Sequence, residues 1–211
     1  LTINERLGAL YAGALAASLL NDNAGAEQAV VKALELLRDK GSPVAAARTF
    51  KQLQAQLWLQ RGDAAQAAAL LDGPIFQPAT RSTMLLRAQA AVMQWQAVQA
   101  QGLPLGCTLA GSPSAAALQA CGPAGAAYQD LRKSSEALQS WVSAHPLDPL
   151  AWGLLGQAEE LQGQRLRAIR AQADARAALG DIGGAIDRLR AAQALVRRGA
   201  AHDFIEASVI G

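Results

Sequence analysis

The chain has 211 residues, of which 51% are hydrophobic, 17% charged and only 4% aromatic, and its formal net charge is +2. Alanine supplies much of the apolar fraction, and because alanine favours helices while strand-favouring residues are sparse, we predict an all-α fold with closely packed helices. The balanced charge argues against nucleic-acid binding as the main function. The sequence contains no run of the roughly 18 uninterrupted apolar residues that a transmembrane segment requires.

The amino terminus carries little information about the compartment. The chain begins with Leu1 rather than methionine, which we interpret as a processed or trimmed product. No charged segment leading into an apolar stretch marks a signal peptide. A signal peptide that had already been cleaved would leave the same amino terminus, so the amino terminus does not determine the compartment.

Helical periodicity fills residues 1–101, which we predict to be degenerate helix-pair repeats. Apolar residues recur at three- and four-residue steps, and Asn, Asp, Gly and Pro mark the turns. The predicted helices cover about 3–20, 24–40, 44–60, 64–71 and 81–101. The inward stripe of the first helix is predicted to contain Leu7, Tyr11, Ala14, Leu15 and Leu19.

Residues 102–123 form the least regular stretch, a predicted loop with a short helix near 114–121. Cys107 and Cys121 flank its glycines, serines and prolines. A disulfide between them would stabilise the fold by about 3 kcal/mol by restricting the unfolded chain. The alternative is two separate buried thiols in a cytosolic protein. We favour the disulfide, and with it an oxidising compartment.

Residues 124–211 contain the clearest repeat. Predicted helices cover 124–144, 149–162, 165–179 and 182–196, and a tail at 200–210 is expected to add a capping turn or helix. One tetratricopeptide-type helix pair accounts for Trp152, Leu155, Gly156, Ala158, Gly163, Ala168 and Ala175. Gly163 and Gly180 each stand five residues before an alanine, at half the usual repeat length. Glycine can end a helix with positive φ, and the small alanine lets the next helix pack closely.

These patterns predict one continuous right-handed superhelix of tetratricopeptide-like hairpins, an α-solenoid whose surface binds other polypeptides. We predict that its groove is lined by first-helix positions that do not pack inward. The candidate partner-binding residues are Gln52, Gln56, Gln60, Leu150, Gly153, Gln157 and Glu160. Such a glutamine-rich lining favours an extended polypeptide held by hydrogen bonds over a small apolar ligand.

The sequence offers little support for catalysis. The two histidines, His145 and His202, do not form an H-E-x-x-H motif, and no constellation of nucleophile, base and acid is recognisable. We therefore predict no catalytic residue, no metal site and no cofactor. The arginines of the last helices alternate with acidic residues, which favours a solvated mixed face over an acidic-ligand site. His145 and the four tryptophans are interpreted as packing residues.

The run LQSWVSAHPLDPLAWGLLGQAEELQGQRLRAIRAQADARAALGDIGGAIDRLRAAQ, followed by HDFIEASVI, resembles the C-terminal tetratricopeptide region of BepA-like periplasmic zinc metallopeptidases. The resemblance covers about Leu138 to Ile210 most specifically. It implies a periplasmic accessory domain that packs against a protease domain and engages the outer-membrane protein assembly machinery or its clients. The family's zinc-binding H-E-x-x-H is absent from these 211 residues, so none of its catalytic residues can be placed here.

Two alternatives remain open at this point. The chain could be the regulatory half that gates an attached zinc metallopeptidase, in which case mutation of the contact face would impair proteolysis. It could instead be an unrelated cytoplasmic tetratricopeptide adaptor, which free thiols at Cys107 and Cys121 would favour.

Overall fold

The computed structural model describes residues 2–39, 44–109 and 113–197, and over these residues it is helical without a β-strand. The helices are α1 (Ile3–Leu19), α2 (Asn23–Asp39), α3 (Val44–Arg61), α4 (Ala64–Leu71), α5 (Arg81–Gln101), α6 (Ala115–Ala120), α7 (Gly122–Ala144), α8 (Pro149–Leu161), α9 (Arg165–Ala178) and α10 (Ile182–Arg197), with a 3₁₀ turn at Pro74–Phe76. The all-α prediction is therefore confirmed. The predicted tail at 200–210, with His202, lies outside the described residues. Within the described part of the chain, no helix is long and apolar enough to cross a membrane.

The chain divides into two compact units, unit 1 (Leu1–Ala90) and unit 2 (Ala91–Gly211). The division falls inside α5, whereas the sequence prediction ended its first region at residue 101 and set 102–123 apart. The reason is packing: Val92 and Trp95 of α5 join the same hydrophobic cluster as Tyr128 and Leu131 of α7. The side chains that a helix buries, rather than the point where it ends, decide which core it belongs to.

The core of unit 1 lies among α1, α2 and α3, and small side chains bring these helices close together. Its buried members are Leu7, Ala14, Ala26, Val30, Ala33, Leu37, Phe50, Leu53 and Leu57. The sequence prediction for α1 was partly wrong, since Tyr11, Leu15 and Leu19 are exposed, Leu19 by 85%. Only Leu7 and Ala14 of the predicted α1 stripe are buried. Tyr11 still packs on the buried ring of Phe50, with centroids 5.9 Å apart, whereas Leu15 and Leu19 lie farther round the helix, beyond the side that packs on the core.

The core of unit 2 is built around Trp95, which is 1% exposed. Its ring packs edge to face on Tyr128 with centroids 4.9 Å apart, and its Nε1 donates a hydrogen bond to the carbonyl oxygen of Leu161 at 3.3 Å. The same cluster contains buried Cys121, which forms a disulfide with Cys107 at an S–S distance of 2.08 Å. The loop that this bond closes contains α6, which packs on α7.

Four helix-ending turns share one geometry. One or two residues after the helix ends, a residue has positive φ, and the N–H of the residue that follows it bonds to the carbonyl five residues back, as in a Schellman motif. These bonds run from Asp22 to Ala17, Asp63 to Trp58, Gln164 to Glu159 and Asp181 to Arg176, all at 2.8–2.9 Å. The positive-φ residues are Asn21, Gly62, Gly163 and Gly180, and the residues five positions later are Ala26, Ala67, Ala168 and Ala185, all buried. The prediction that glycine ends the helix and that the alanine five residues later packs inward is confirmed. The structure adds Asn21, for which the sequence predicted only a turn.

We expect Gly163→Ala to lower the free energy of unfolding by about 1 kcal/mol, since only the backbone conformation resists the new methyl group. No atom lies within 4 Å of the position that a Cβ would take, so a steric clash contributes nothing. The matched control is Gly153→Ala inside α8, where the surroundings are equally open and φ is ordinary. That control should gain roughly 0.5–1 kcal/mol from helix propensity. Urea denaturation followed by circular dichroism measures both, and equal shifts of the same sign would contradict the turn assignment.

Candidate functional site

A cavity of about 410 Å³ lies in unit 1 among α1, α3 and α5, and we call it the unit 1 groove. Three elements line it, with α3 supplying the longest row of side chains. The lining residues are Tyr11 of α1, then Thr49, Gln52, Leu53, Gln56, Leu59 and Gln60 of α3, and Arg81, Ser82, Leu85, Leu86 and Gln89 of α5. The groove therefore combines an amide-rich rim with leucine side chains.

The structure brings the three glutamines predicted on α3 together in this groove. Gln52, Gln56 and Gln60 recur at four-residue steps, so they stand above one another on one helix face, about 6 Å apart along the axis. The residues contributed by α5 were missed by the sequence analysis. Periodicity alone does not show which face of α5 lies opposite α3, so no sequence signal marked Arg81 or Gln89. Binding of a partner by these residues stays a prediction.

Hydrogen bonds at each end hold two of the glutamines in place. Ser18 Oγ donates to Gln60 Oε1 at 3.1 Å, and Gln52 Nε2 donates to Thr83 Oγ1 at 3.1 Å. A carboxamide has two donor hydrogens and two acceptor lone pairs, so each of these side chains keeps capacity for a further ligand. Gln56, midway between them, is exposed.

The base of the groove is apolar and its rim carries a single formal charge. Leu53 and Leu59 are buried, while Leu85 and Leu86 are half-buried. Among the described residues that line the groove, Arg81 is the one ionised side chain. The arrangement can therefore accept apolar side chains at its base and amide hydrogen bonds along α3.

In unit 2 the predicted lining residues of α8 are not among the residues that line the cavity described below. Leu150, Gln157 and Glu160 are exposed, and Gly153 is half-buried. A smaller cavity of about 220 Å³ lies on the other side of the helix, lined by Gln139, Trp152, Leu155, Glu159, Arg167, Arg170 and Ala171. At 3.6 residues per turn, positions 152, 155 and 159 lie about half a turn away from the four predicted ones. Partner binding by those four residues stays a prediction, and they do not line this cavity.

The unit 2 cavity contains charges of both signs. Buried Glu159 accepts a hydrogen bond from Ser135 Oγ at 3.1 Å, and Arg170 pairs with Asp174 at 3.8 Å. Burial raises the pKa of the nearby Tyr128 hydroxyl. The negative charge of Glu159 also raises this pKa, while the positive charge of Arg132 lowers it. Farther along, Arg176 pairs with Asp181 at 2.7 Å and Arg190 with Asp187 at 3.5 Å. The arginines thus belong to a mixed charged surface, as the sequence predicted.

The turn between α7 and α8 explains His145 and two of the tryptophans structurally. The His145 ring stacks on Trp141 with centroids 3.8 Å apart and an interplanar angle of 12°. Trp141 Nε1 donates to Asp148 Oδ2 at 2.9 Å, and Asp148 also accepts from the Ala151 N–H at the start of α8. Trp152 Nε1 donates to the carbonyl oxygen of Pro146 at 2.8 Å. These contacts build the turn and confirm the packing interpretation for His145.

Over the described residues, no group of three or more His, Cys, Asp or Glu side chains is arranged to hold a metal ion. The sequence matches no protein-family model, and no curated protein matches it at a significant level. The unit 1 groove is therefore the candidate site on its geometry alone.

Proposed function

We propose that this chain is a non-catalytic protein-binding domain, built as a right-handed solenoid of tetratricopeptide-like hairpins, and that the unit 1 groove holds an extended polypeptide. The observation that carries this proposal is the row of Gln52, Gln56 and Gln60, which lines the groove together with leucine side chains. The repeated turn after α1, α3, α8 and α9 supports the solenoid, because identical turns arrange successive helix pairs alike.

The spacing of the amides suits a main-chain ligand. Four residues of an α-helix rise about 6 Å, and two residues of an extended chain rise about 6.6–6.8 Å. Over a few residues, successive glutamines can therefore meet successive peptide groups that face the same way. Because a carboxamide both donates and accepts, it can bind the C=O and the N–H of such a group. Side chains on the opposite side of the ligand remain free to vary.

The apolar base favours uncharged side chains on the face of the ligand that points into the groove. Leu53 and Leu59 of α3 and Leu85 and Leu86 of α5 surround this volume. Burying a charge against leucines would cost far more than the amide contacts return. We therefore propose segments that alternate in polarity, such as strands of unfolded proteins, as the preferred ligands.

We further propose a periplasmic location and a role in outer-membrane protein assembly quality control, as the repeat region of a metalloprotease or chaperone. The sequence resemblance in residues 138–210 motivates this role, with an attached protease domain and the assembly machinery or its clients as partners. The Cys107–Cys121 disulfide supports an oxidising compartment over the cytoplasm.

The test of the groove is peptide binding by fluorescence anisotropy. The probe is a labelled, uncharged peptide of about eight residues with alternating leucine and threonine, which at roughly 3.3 Å per residue spans the groove. We expect the double variant Gln56→Ala/Gln60→Ala to weaken binding about tenfold or more, since each lost hydrogen bond contributes about 0.5–1.5 kcal/mol.

The matched control is Gln66→Ala on α4, an exposed glutamine outside the groove, which should leave the affinity unchanged. Circular dichroism confirms that each variant folds. Equal affinity of the double variant and the wild type would reject the groove as the binding site.

A further inference from the structure

We infer that two copies of this chain bind each other through the outer side of α1, with the two α1 helices antiparallel. This inference does not depend on the proposed function or on the unit 1 groove. It rests on three features of α1: the apolar side chains on its outer side, the lack of charge there, and the order of small and large side chains along the helix.

The side of α1 that points away from the core is apolar. Leu7 and Ala14 pack on the core of unit 1, whereas the residues on the opposite side of the helix are exposed. These residues, which we call the outer α1 face, are Gly8, Ala12, Leu15, Ala16 and Leu19, with Leu20 directly after the helix. A helix that is apolar on all sides is typical of a buried environment. We therefore expect a second surface to cover the outer α1 face.

The lack of charge limits what that second surface can be. The sequence contains no charged residue between Leu7 and Asn21. Burying a charge against this face would be costly, so its partner must be uncharged as well. A second copy of the outer α1 face meets this requirement. A lipid surface fits less well, because helices that lie on membranes carry several Lys or Arg residues, and α1 has one basic residue, Arg6.

The order of side chains makes the outer α1 face complementary to itself. Gly8, Ala12, Leu15 and Leu19 follow one another at steps of four, three and four residues, the spacing of a coiled-coil seam. The first two are small and the last two are large. In an antiparallel pair about a twofold axis, Gly8 lies opposite Leu19 and Ala12 lies opposite Leu15. Each large side chain then fills the space beside a small one, whereas a parallel pair would set leucine against leucine and leave a void at the glycines.

The size of the face suits a reversible dimer. Leu15, Leu19 and Leu20 are 37%, 85% and 80% exposed. Together with the small residues between them they offer on the order of 400 Å² of apolar surface per copy. A standard stable interface buries about 800 Å² per partner, so the pair is expected to dissociate on dilution.

The experiment measures the oligomeric state of the full chain by sedimentation velocity over a wide range of protein concentrations. We expect the wild type to shift from monomer to dimer as its concentration rises. Leu19→Glu should raise the Kd of the dimer about tenfold or more, because each copy would then bury a carboxylate against apolar groups. The Leu19 side chain is 85% exposed, so this variant should keep its fold, which circular dichroism checks.

The matched control is Leu147→Glu, in the turn between α7 and α8. Leu147 is 81% exposed and lies outside the outer α1 face, so this variant should dimerise as the wild type does. Equal weakening by both variants would overturn the inference, since the added negative charge alone would then account for the effect.

Cross-linking tests the antiparallel orientation. Gly8→Cys and Leu19→Cys are prepared as separate proteins, one of them with an affinity tag, and are mixed under air. Both native cysteines are already bonded to each other, and the position of a Cβ at Gly8 has no atom within 4 Å. We expect disulfides between the two variants, because an antiparallel pair separates the two Gly8 positions by about 16 Å along the axis, too far for a disulfide. Disulfides that form within each variant instead would indicate a parallel pair and overturn the orientation.

The remaining outcomes identify a different occupant or a different surface. A wild type that stays monomeric at every concentration overturns the inference, and flotation of that monomer with vesicles of phosphatidylglycerol and phosphatidylethanolamine would assign the outer α1 face to a lipid surface. A dimer that Leu19→Glu does not weaken also overturns it, since another surface would then form the contact.

Discussion

Replacing Trp95 by alanine is expected to lower the free energy of unfolding by about 3–5 kcal/mol. The side chain is 1% exposed, and its ring contacts Tyr128 at a centroid distance of 4.9 Å. Truncation would leave a large void in the core of unit 2, and the carbonyl oxygen of Leu161 would lose the Trp95 N–H as a hydrogen-bond donor. Urea denaturation followed by far-ultraviolet circular dichroism measures the loss, which should appear in the transition of unit 2.

Two control variants separate the contributions to this loss. Trp95→Phe retains an aromatic ring and removes the N–H, so it should cost less than the alanine variant. Trp58→Ala removes a tryptophan that is only half-buried, in unit 1, and it should also cost less because less contact area is lost. A Trp95→Ala variant no less stable than Trp58→Ala would show that the Trp95–Tyr128 contact does not organise unit 2.

Gly125→Ala is expected to destabilise unit 2 by about 1–3 kcal/mol through overpacking. A Cβ at this position would overlap the carbonyl oxygen of Leu118 and approach the carbonyl carbon to 2.7 Å. These are backbone atoms of α6, so no side-chain rotation can relieve the clash. The helix itself must move, and it lies in the loop that the Cys107–Cys121 disulfide closes.

The disulfide should therefore set the cost of this substitution. Removing the bond by Cys107→Ser/Cys121→Ser is expected to cost about 3 kcal/mol in the chain-entropy account. In that background α6 can shift more easily, so Gly125→Ala should cost less than it does in the oxidised protein, a coupling that a double-mutant cycle measures. The open position Gly153 again provides the control, because Gly153→Ala should show no such coupling. Strict additivity at Gly125 would contradict the close α6–α7 approach.

The helix-ending turns show which structural features can be predicted from a few neighbouring residues. Gly163 and Gly180 were predicted as helix ends because glycine tolerates positive φ and because alanine follows each of them at the same distance, and Gly62 fits the same pattern. Asn21 adopts the same geometry with φ of 60°, yet asparagine occurs in many kinds of turn. Its membership in the set became visible only from the hydrogen bonds of the folded chain.

The predicted binding residues of α3 and of α8 show what helical periodicity can predict and what depends on the packing of other helices. The glutamine row on α3 could be identified because four-residue spacing places side chains on one face of any helix. The same reasoning applied to α8 selected Leu150, Gly153, Gln157 and Glu160, and the cavity lies on the opposite side of that helix. Periodicity defines faces, whereas the neighbouring helices decide which face borders a cavity.

The amino-acid sequence by itself determined the helical class, the helix positions and the glycine-marked turns, because helix propensity, capping and backbone freedom act over a few neighbouring residues. The tertiary structure alone decided that α5 is divided between two compact units, that Arg81 and Gln89 line the same cavity as the glutamines of α3, and that most of the α1 stripe stays exposed. These features depend on contacts between residues far apart in the chain, and many alternative packings satisfy the same local pattern. Burial of side chains between particular helices selects one of them.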